Sequence, residues 1–291
     1  MNANFPEYAC EYAAELAEKC GPFRRQVKFD PAELDNDDGL PVDPFGELDE
    51  ASGVYGLKHR FPDRVLVMAS NSCFMNCRHC TRRGMLADAE VVRTDEELQN
   101  CVDYVKARPE VRDVLISGGD PLVLPDDEVL RFVSAFSALE QVDVVRLCTR
   151  APCVNPSRIT PSLARRLRES GKVWVNTQFN CAGEVTPEAA AACGALVDAG
   201  IPVSCQTVLL AGVNDSTGQM LELLRALQRI RVRPYYVFQC DPVAGTAHFK
   251  VSDENARRIA RECSERIGGL ALPRFVADVP GAKSKVPVWE L

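Results

Sequence analysis

From about Val54 onward, apolar residues gather into short runs that alternate with segments of helical spacing. RVLVMAS (64–70), DVLISGG (113–119), DVVRLCTR (143–150), KVWVNTQF (172–179), PVSCQTVLL (202–210), RPYYVFQ (233–239) and PRFVADV (273–279) read as strands. Most are nearly continuous in apolar character, which predicts burial on both faces of a sheet. The intervening stretches 94–108, 126–139, 160–170, 186–200, 216–230 and 252–267 repeat their apolar residues at helical spacing. Thr94 with Glu97, Thr160-Pro161 and Thr186-Pro187 are helix-start signals, and Gly200 is a stop. About six βα units and a closing strand predict a parallel sheet covered by helices. No glycine-rich dinucleotide fingerprint follows the first strand, which favours a full or partial (β/α) barrel with its chemistry on loops at the carboxyl ends of the strands.

Residues 1–54 have a different texture. A helix fits 8–19, and the acidic, proline-containing stretch that follows reads as irregular, so the chain divides into a short N-terminal appendage (1–54) and a barrel (55–291). The formal net charge of −7 over 291 residues argues against a nucleic-acid partner. No apolar run approaches the roughly 20 residues that span a bilayer, and the first residues lack the basic-then-apolar order of a secretory signal. The thirteen cysteines are an odd number in a large chain, which fits a reducing cytoplasm better than a disulfide framework.

Three of those cysteines cluster. In NSCFMNCRHCTRRG, directly after the first predicted strand, Cys73, Cys77 and Cys80 stand in C-x3-C-x2-C spacing among arginines. Structural zinc wants a fourth ligand, and His79, lying between two of the cysteines, would strain a tetrahedral site. Unligated buried thiols would need no neighbouring Arg and Asn. A [4Fe–4S] cluster ordinarily takes four cysteines, so three leave one iron open to a substrate or cofactor.

That loop resembles the signature of the radical S-adenosylmethionine (SAM) superfamily, which implies a [4Fe–4S] cluster, SAM at its open iron and a partial (β/α)6 barrel. The longer segment HRFPDRVLVMASNSCFMNCRHCTRR, with DVLISGGDPL, NTQFN, QTVLLAGVND, VRPYYVFQCD and FVADVPGAKSKVPV in order, resembles the lysine 2,3-aminomutase family over nearly all of 55–288. The resemblance implies an isomerase that also uses pyridoxal 5′-phosphate (PLP) and moves an α-amino group to the β carbon, with free L-lysine favoured as substrate. By position in the family's motifs, Lys285 would hold PLP, in preference to Lys283, and Arg64 would contact it, with Arg60 and Phe61 close by in sequence. Arg82 would anchor the substrate carboxylate, while Asp241 and Asp278 would receive the ε-ammonium. Ser117, Gly118, Gly119, Asp120 and Gln206 would line the SAM region, with Thr149, Arg150, Asn176 and Gln178 as further candidates.

Three departures stand out. The family's glycine run before the lysine is thinned to Gly281-Ala282-Lys283-Ser284, and Gln178 replaces a frequent histidine. Longer members hold a zinc partly through a cysteine whose position here is Ser216, so no zinc is expected. A low-potential electron donor, self-association and a cytoplasmic location are further implications. GTAHFKVSDENARRI also resembles a branch that acts on lysine attached to elongation factor P. The alternatives to a free-lysine aminomutase are that branch, action on another amino acid, a radical SAM enzyme with altered PLP use, and an iron–sulfur electron-transfer or sensor protein.

Overall fold

The computed structural model describes residues 5–35, 39–47, 52–84, 86 and 93–291. Among them is one nine-stranded sheet whose strands lie in chain order: β1 (Leu57–Phe61), β2 (Arg64–Ser70), β3 (Asp113–Gly118), β4 (Val144–Cys148), β5 (Val173–Gln178), β6 (Val203–Leu209), β7 (Arg233–Gln239), β8 (Arg274–Ala277) and β9 (Val286–Pro287). β2 through β8 run parallel, each beside its successor. β1 and β9 add short antiparallel edges. The seven parallel strands are the seven runs expected above, and the six long connections carry the expected helices.

Sequential parallel strands need crossovers, and here each crossover covers the outer face of the sheet. Alternation along the strands separates two environments. Val65, Val67, Val114, Ile116, Val145, Leu147 and Val175 point outward into the helix layer and are buried. Leu66, Leu115, Arg146, Cys148, Asn176 and Tyr236 point inward and line a cavity. The sheet curls until Arg60 of β1 donates to the Val279 carbonyl beyond β8 (3.1 Å) and pairs with Asp278 (2.6 Å). No β1–β9 ladder closes it among the described residues, so the barrel is open.

The caps follow the local sequence. Thr94 and Glu97 form a reciprocal capping box on α3 (Asp95–Lys106). Thr160 caps the helix Pro161–Glu169, and Thr186 caps the helix Pro187–Asp198. Ser216 caps the helix Thr217–Arg229, so its hydroxyl has a helix-end role. In the N-terminal part, α1 (Glu11–Lys19) and α2 (Gly21–Arg25) bury Ala13, Leu16, Ala17 and Phe23 in the core that the barrel also uses. The acidic stretch is less irregular than expected: Asp30 and Glu33 cap a 3-10 turn at Pro31–Leu34. No helix among the described residues is long and apolar enough to cross a membrane.

Candidate active site

A cavity of about 430 Å³ opens at the carboxyl ends of the strands. It is lined by Cys73, Cys77 and Cys80 and also reaches Arg64, Arg82, Asp120, Gln206, Asp241, Asp278 and Lys285, residues drawn from both ends of the chain. Parallel strand ends make this convergence possible, because every βα loop emerges on the same side.

The three thiols sit on the loop that leaves β2. That loop is pinned from below: Asn76 N donates to Tyr8 O (2.8 Å), and Arg78 N donates to Gln26 O (2.9 Å). Two thiols already accept hydrogen bonds, Cys77 Sγ from Arg150 Nη1 (3.0 Å) and Cys80 Sγ from Arg82 N (3.3 Å). N–H donors aimed at sulfur stabilise thiolate character. Burial acts the other way, pushing Cys73 above its ordinary value and Cys80 up to about 11. The three thiols line one cavity, burial would keep Cys73 and Cys80 protonated, and donors point at Cys77 and Cys80, a set that suits a cationic metal centre. The residues present therefore fit an iron–sulfur cluster.

Arg150 belongs to a buried network sequence reasoning did not find. Its Nη2 donates to Gln26 Oε1 (2.7 Å) and to Glu184 Oε1 (3.3 Å). Gln26 Nε2 donates to Glu184 Oε1 (2.7 Å), and Asn180 N donates to Glu184 Oε2 (2.8 Å). Gln26 and Arg150 lie far from Asn180 and Glu184 in the chain, so no spacing links the four. His79 stays within the same region, its Nε2 near Gln178 Nε2 (3.1 Å) while its Nδ1 is buried without a partner. Burial, then the Arg150 charge, pull His79 down to about 3, so its ring is neutral.

The Ser117–Asp120 turn packs tightly on the segment that enters the cysteine loop. Gly119 N donates to Ser70 O, and Asp120 N to Ser72 O, both at 2.7 Å. A Cβ on Gly118, whose φ is +127°, would lie 2.1 Å from Ser70 O, and one on Gly119 would lie 2.1 Å from Ser72 O. The glycines are thus required by backbone contact. Gly118→Ala is expected to cost about 3 kcal/mol or more, because backbone rather than a side-chain tip must move. Urea unfolding of the protein before iron loading measures it. Asp120 is held within the protein: its oxygens accept from Thr149 Oγ1 (2.7 Å), Arg150 N (2.7 Å) and Leu122 N (2.9 Å). Burial outweighs those bonds and raises Asp120 to about 6. Gln206 Oε1 accepts from Tyr235 Oη (3.1 Å), which also receives a bond from Asn176 Nδ2 (3.2 Å).

Across the cavity lies the 278–285 hairpin between β8 and β9. Lys285 Nζ pairs with Asp278 and sits 5.2 Å from the Phe61 ring centre and 5.3 Å from that of Phe238. Burial lowers Lys285 against the opposing pull of Asp278. Lys283, two residues away, is exposed. Burial, then the charge of Asp278, push Asp241 up to about 7, with Lys285 pulling the other way. Arg64 lies over Phe61 (4.3 Å) and donates to Asp63 (3.0 Å). Arg82 forms a bidentate pair with Glu47, which the sequence showed only as one more acid in an acidic stretch.

An open parallel α/β sheet with three clustered thiols at its mouth defines a radical SAM protein, and the model of the Radical SAM superfamily matches residues 67–224. A radical SAM methyltransferase from Sphaerobacter thermophilus shares the fold, with a TM-score of 0.56 and 19% identity over 76% of this chain and 68% of its own. The L-lysine 2,3-aminomutase of Fusobacterium nucleatum is 41% identical over 94% of this chain and 64% of its own length. A Treponema pallidum relative that carries the same name provisionally is 36% identical over 98% of this chain and 80% of its own. The glutamate 2,3-aminomutase of Clostridioides difficile is 36% identical over 87% and 60%. The chain belongs to the lysine 2,3-aminomutase family. It spans 64% of the length of the Fusobacterium nucleatum enzyme.

Proposed function

We propose that this protein is a radical SAM, PLP-dependent aminomutase that shifts the α-amino group of L-lysine to the β carbon. One observation carries the substrate: a single cavity includes the Arg82 guanidinium and the carboxylates of Asp241 and Asp278, the latter paired with Arg60 and Lys285, along with the three thiols. A guanidinium suits a carboxylate, and two nearby carboxylates suit an ammonium and repel a second acid. That favours lysine over glutamate. The reading includes a low-potential electron donor, a cytoplasmic location and self-association.

A cluster on Cys73, Cys77 and Cys80 with bound SAM would supply a carbon radical, and PLP would supply an amine-binding carbonyl and a ring able to delocalise an unpaired electron. The chain's own residues do the rest. Lys285 would hold PLP through Nζ, which burial makes easier to deprotonate. Arg64 and Arg60 offer positive charge on the same wall, and Phe61 and Phe238 keep water from Lys285. Ser117, Gly118, Gly119, Asp120 and Gln206 shape the SAM side, Asp120 by fixing the turn rather than by offering a free carboxylate. Arg82 and the aspartates would hold the substrate by its two ends and so limit its orientation in the cavity.

The deciding experiment is oxygen-free reconstitution with iron, sulfide, PLP, SAM and reductant, followed by analysis of products from L-lysine and L-glutamate. β-Lysine is the expected product; conversion of glutamate alone would sink the substrate reading. Asp241→Asn is expected to raise KM for lysine by roughly 10- to 100-fold, since a buried ammonium would lose one counter-charge. Affinity should also rise with pH between about 6 and 8. Asp241 is partly protonated near its value of about 7, and an arriving ammonium must drive that proton off, a cost that disappears above it. A flat KM–pH profile in the wild type would count against Asp241 as an ammonium seat.

A further inference from the structure

Within residues 39–47, Phe45 and Glu47 reach the lining of the cavity. Ala244 N, in the loop after β7, donates to Pro41 O (2.9 Å). The Arg60 guanidinium lies over the Phe45 ring (4.6 Å), and Glu47 N donates to Asp43 Oδ1 (2.9 Å). With the backbone held at those points, Glu47 meets Arg82 side-on. Arg82 Nε donates to Oε2 (2.6 Å) and Nη2 to Oε1 (2.8 Å), while Nη1 donates to Ser117 Oγ (3.3 Å). The bidentate edge of Arg82 is therefore taken by the chain itself, in a pair whose side chains are only 19% and 18% exposed.

We propose that Glu47 is a specificity-determining residue, a built-in competitor that holds the carboxylate seat on Arg82. The inference rests on Arg82 serving as the carboxylate anchor in the aminomutase reading. An incoming free carboxylate finds Arg82 already neutralised and must displace Glu47 before it binds. The tether keeps Glu47 at high local concentration, so the competition is steep. Apparent affinity falls by the fraction of time Arg82 is free. A lysine whose carboxylate is masked as an amide has no such displacement to make, so Glu47 lowers the affinity for L-lysine and leaves that for L-lysinamide unaffected.

The test compares L-lysine with L-lysinamide by calorimetry on protein loaded with cluster, PLP and SAM but given no reductant, so that binding is read without turnover. Wild type is set against Glu47→Gln and Glu47→Ala, the second because glutamine retains an oxygen that Arg82 can hold. For each ligand the ratio of variant to wild-type affinity is taken, which cancels the differing basicity of the two α-amines. The expected result is that Glu47→Ala tightens L-lysine about tenfold while L-lysinamide changes by less than about twofold, with Glu47→Gln lying between. The unchanged lysinamide affinity also reports that the variants are folded. Equal changes for both ligands, or weaker lysine binding, would overturn the role of Glu47 and leave the lysine reading standing. If no form binds either ligand, the lysine reading itself fails, and the role of Glu47 with it.

Discussion

Lys285→Ala is expected to yield a folded protein that takes up iron at Cys73, Cys77 and Cys80 yet shows no PLP absorption and at least a thousandfold lower turnover. The contrast with Lys283→Ala gives the experiment its force. Both lysines lie in the hairpin between β8 and β9, but Lys285 adjoins β9 and lines the cavity, whereas Lys283 lies in the turn. Val286 pairs with Ala277 in the ladder, and Lys285, just before it, sits in the cavity, while Lys283 is exposed. Lys285 is also chemically distinct: burial between Phe61 and Phe238 favours its neutral, nucleophilic form, and Asp278 opposes that only in part. Removing it leaves Asp278 paired with Arg60, so the hairpin keeps a counter-charge and should not unfold. Spectra of both variants with PLP, alongside iron analysis, check the assignment. Loss of the PLP band in Lys283→Ala and its retention in Lys285→Ala would reverse it.

The parallel strands and their helices were legible because burial on both faces imposes long apolar runs, and because Thr-Pro starts and glycine stops act locally. The cysteine loop was legible for the same reason, since its thiols lie within eight residues of one another. What escaped depends on pairing and packing that composition and spacing do not show. β1 reads LKHRF, a charged segment made a strand by its hairpin with β2, and β9 is only two residues long. The family motif placed Asp120 in the SAM region, and no spacing showed that its carboxylate also joins the β3 and β4 loops. Several charged residues between 30 and 83 drew no individual role from any motif. Three of them, Glu33, Arg78 and Arg83, form a cluster in which Glu33 and Arg78 are only 1% exposed, and no spacing rule links residues 45 or 50 positions apart.

That cluster sets the largest stability effect. Glu33 accepts from Arg78 Nε (2.8 Å) and Nη2 (2.6 Å) and from Arg83 Nη2 (2.7 Å). Arg78 Nη1 adds bonds to Phe5 O (3.0 Å) and Pro6 O (3.2 Å). Glu33→Ala would strip the counter-charge from a fully buried guanidinium, which costs about 3–5 kcal/mol and lowers the thermal midpoint by roughly 6–12 °C. Because breaking a buried pair is worse than removing it, Arg78→Met combined with Glu33→Ala should cost less than the two single changes summed. The damage should also reach the metal site, since Arg78 lies between Cys77 and Cys80 and fixes that loop to the N-terminal part of the chain. Acid should mimic the mutation. Burial alone would raise Glu33, but the bonds from Arg78 and Arg83 outweigh it and hold the carboxyl below its ordinary 4.5. Its contribution is therefore complete above about pH 4.5 and is lost as pH falls through the lower folded value. Urea midpoints of the iron-free protein across that range, with iron content after reconstitution at neutral pH, test both effects. A Glu33→Ala protein with an unchanged midpoint and full iron loading would mean that the two arginines find other counter-charges, and that Glu33 does not anchor the loop.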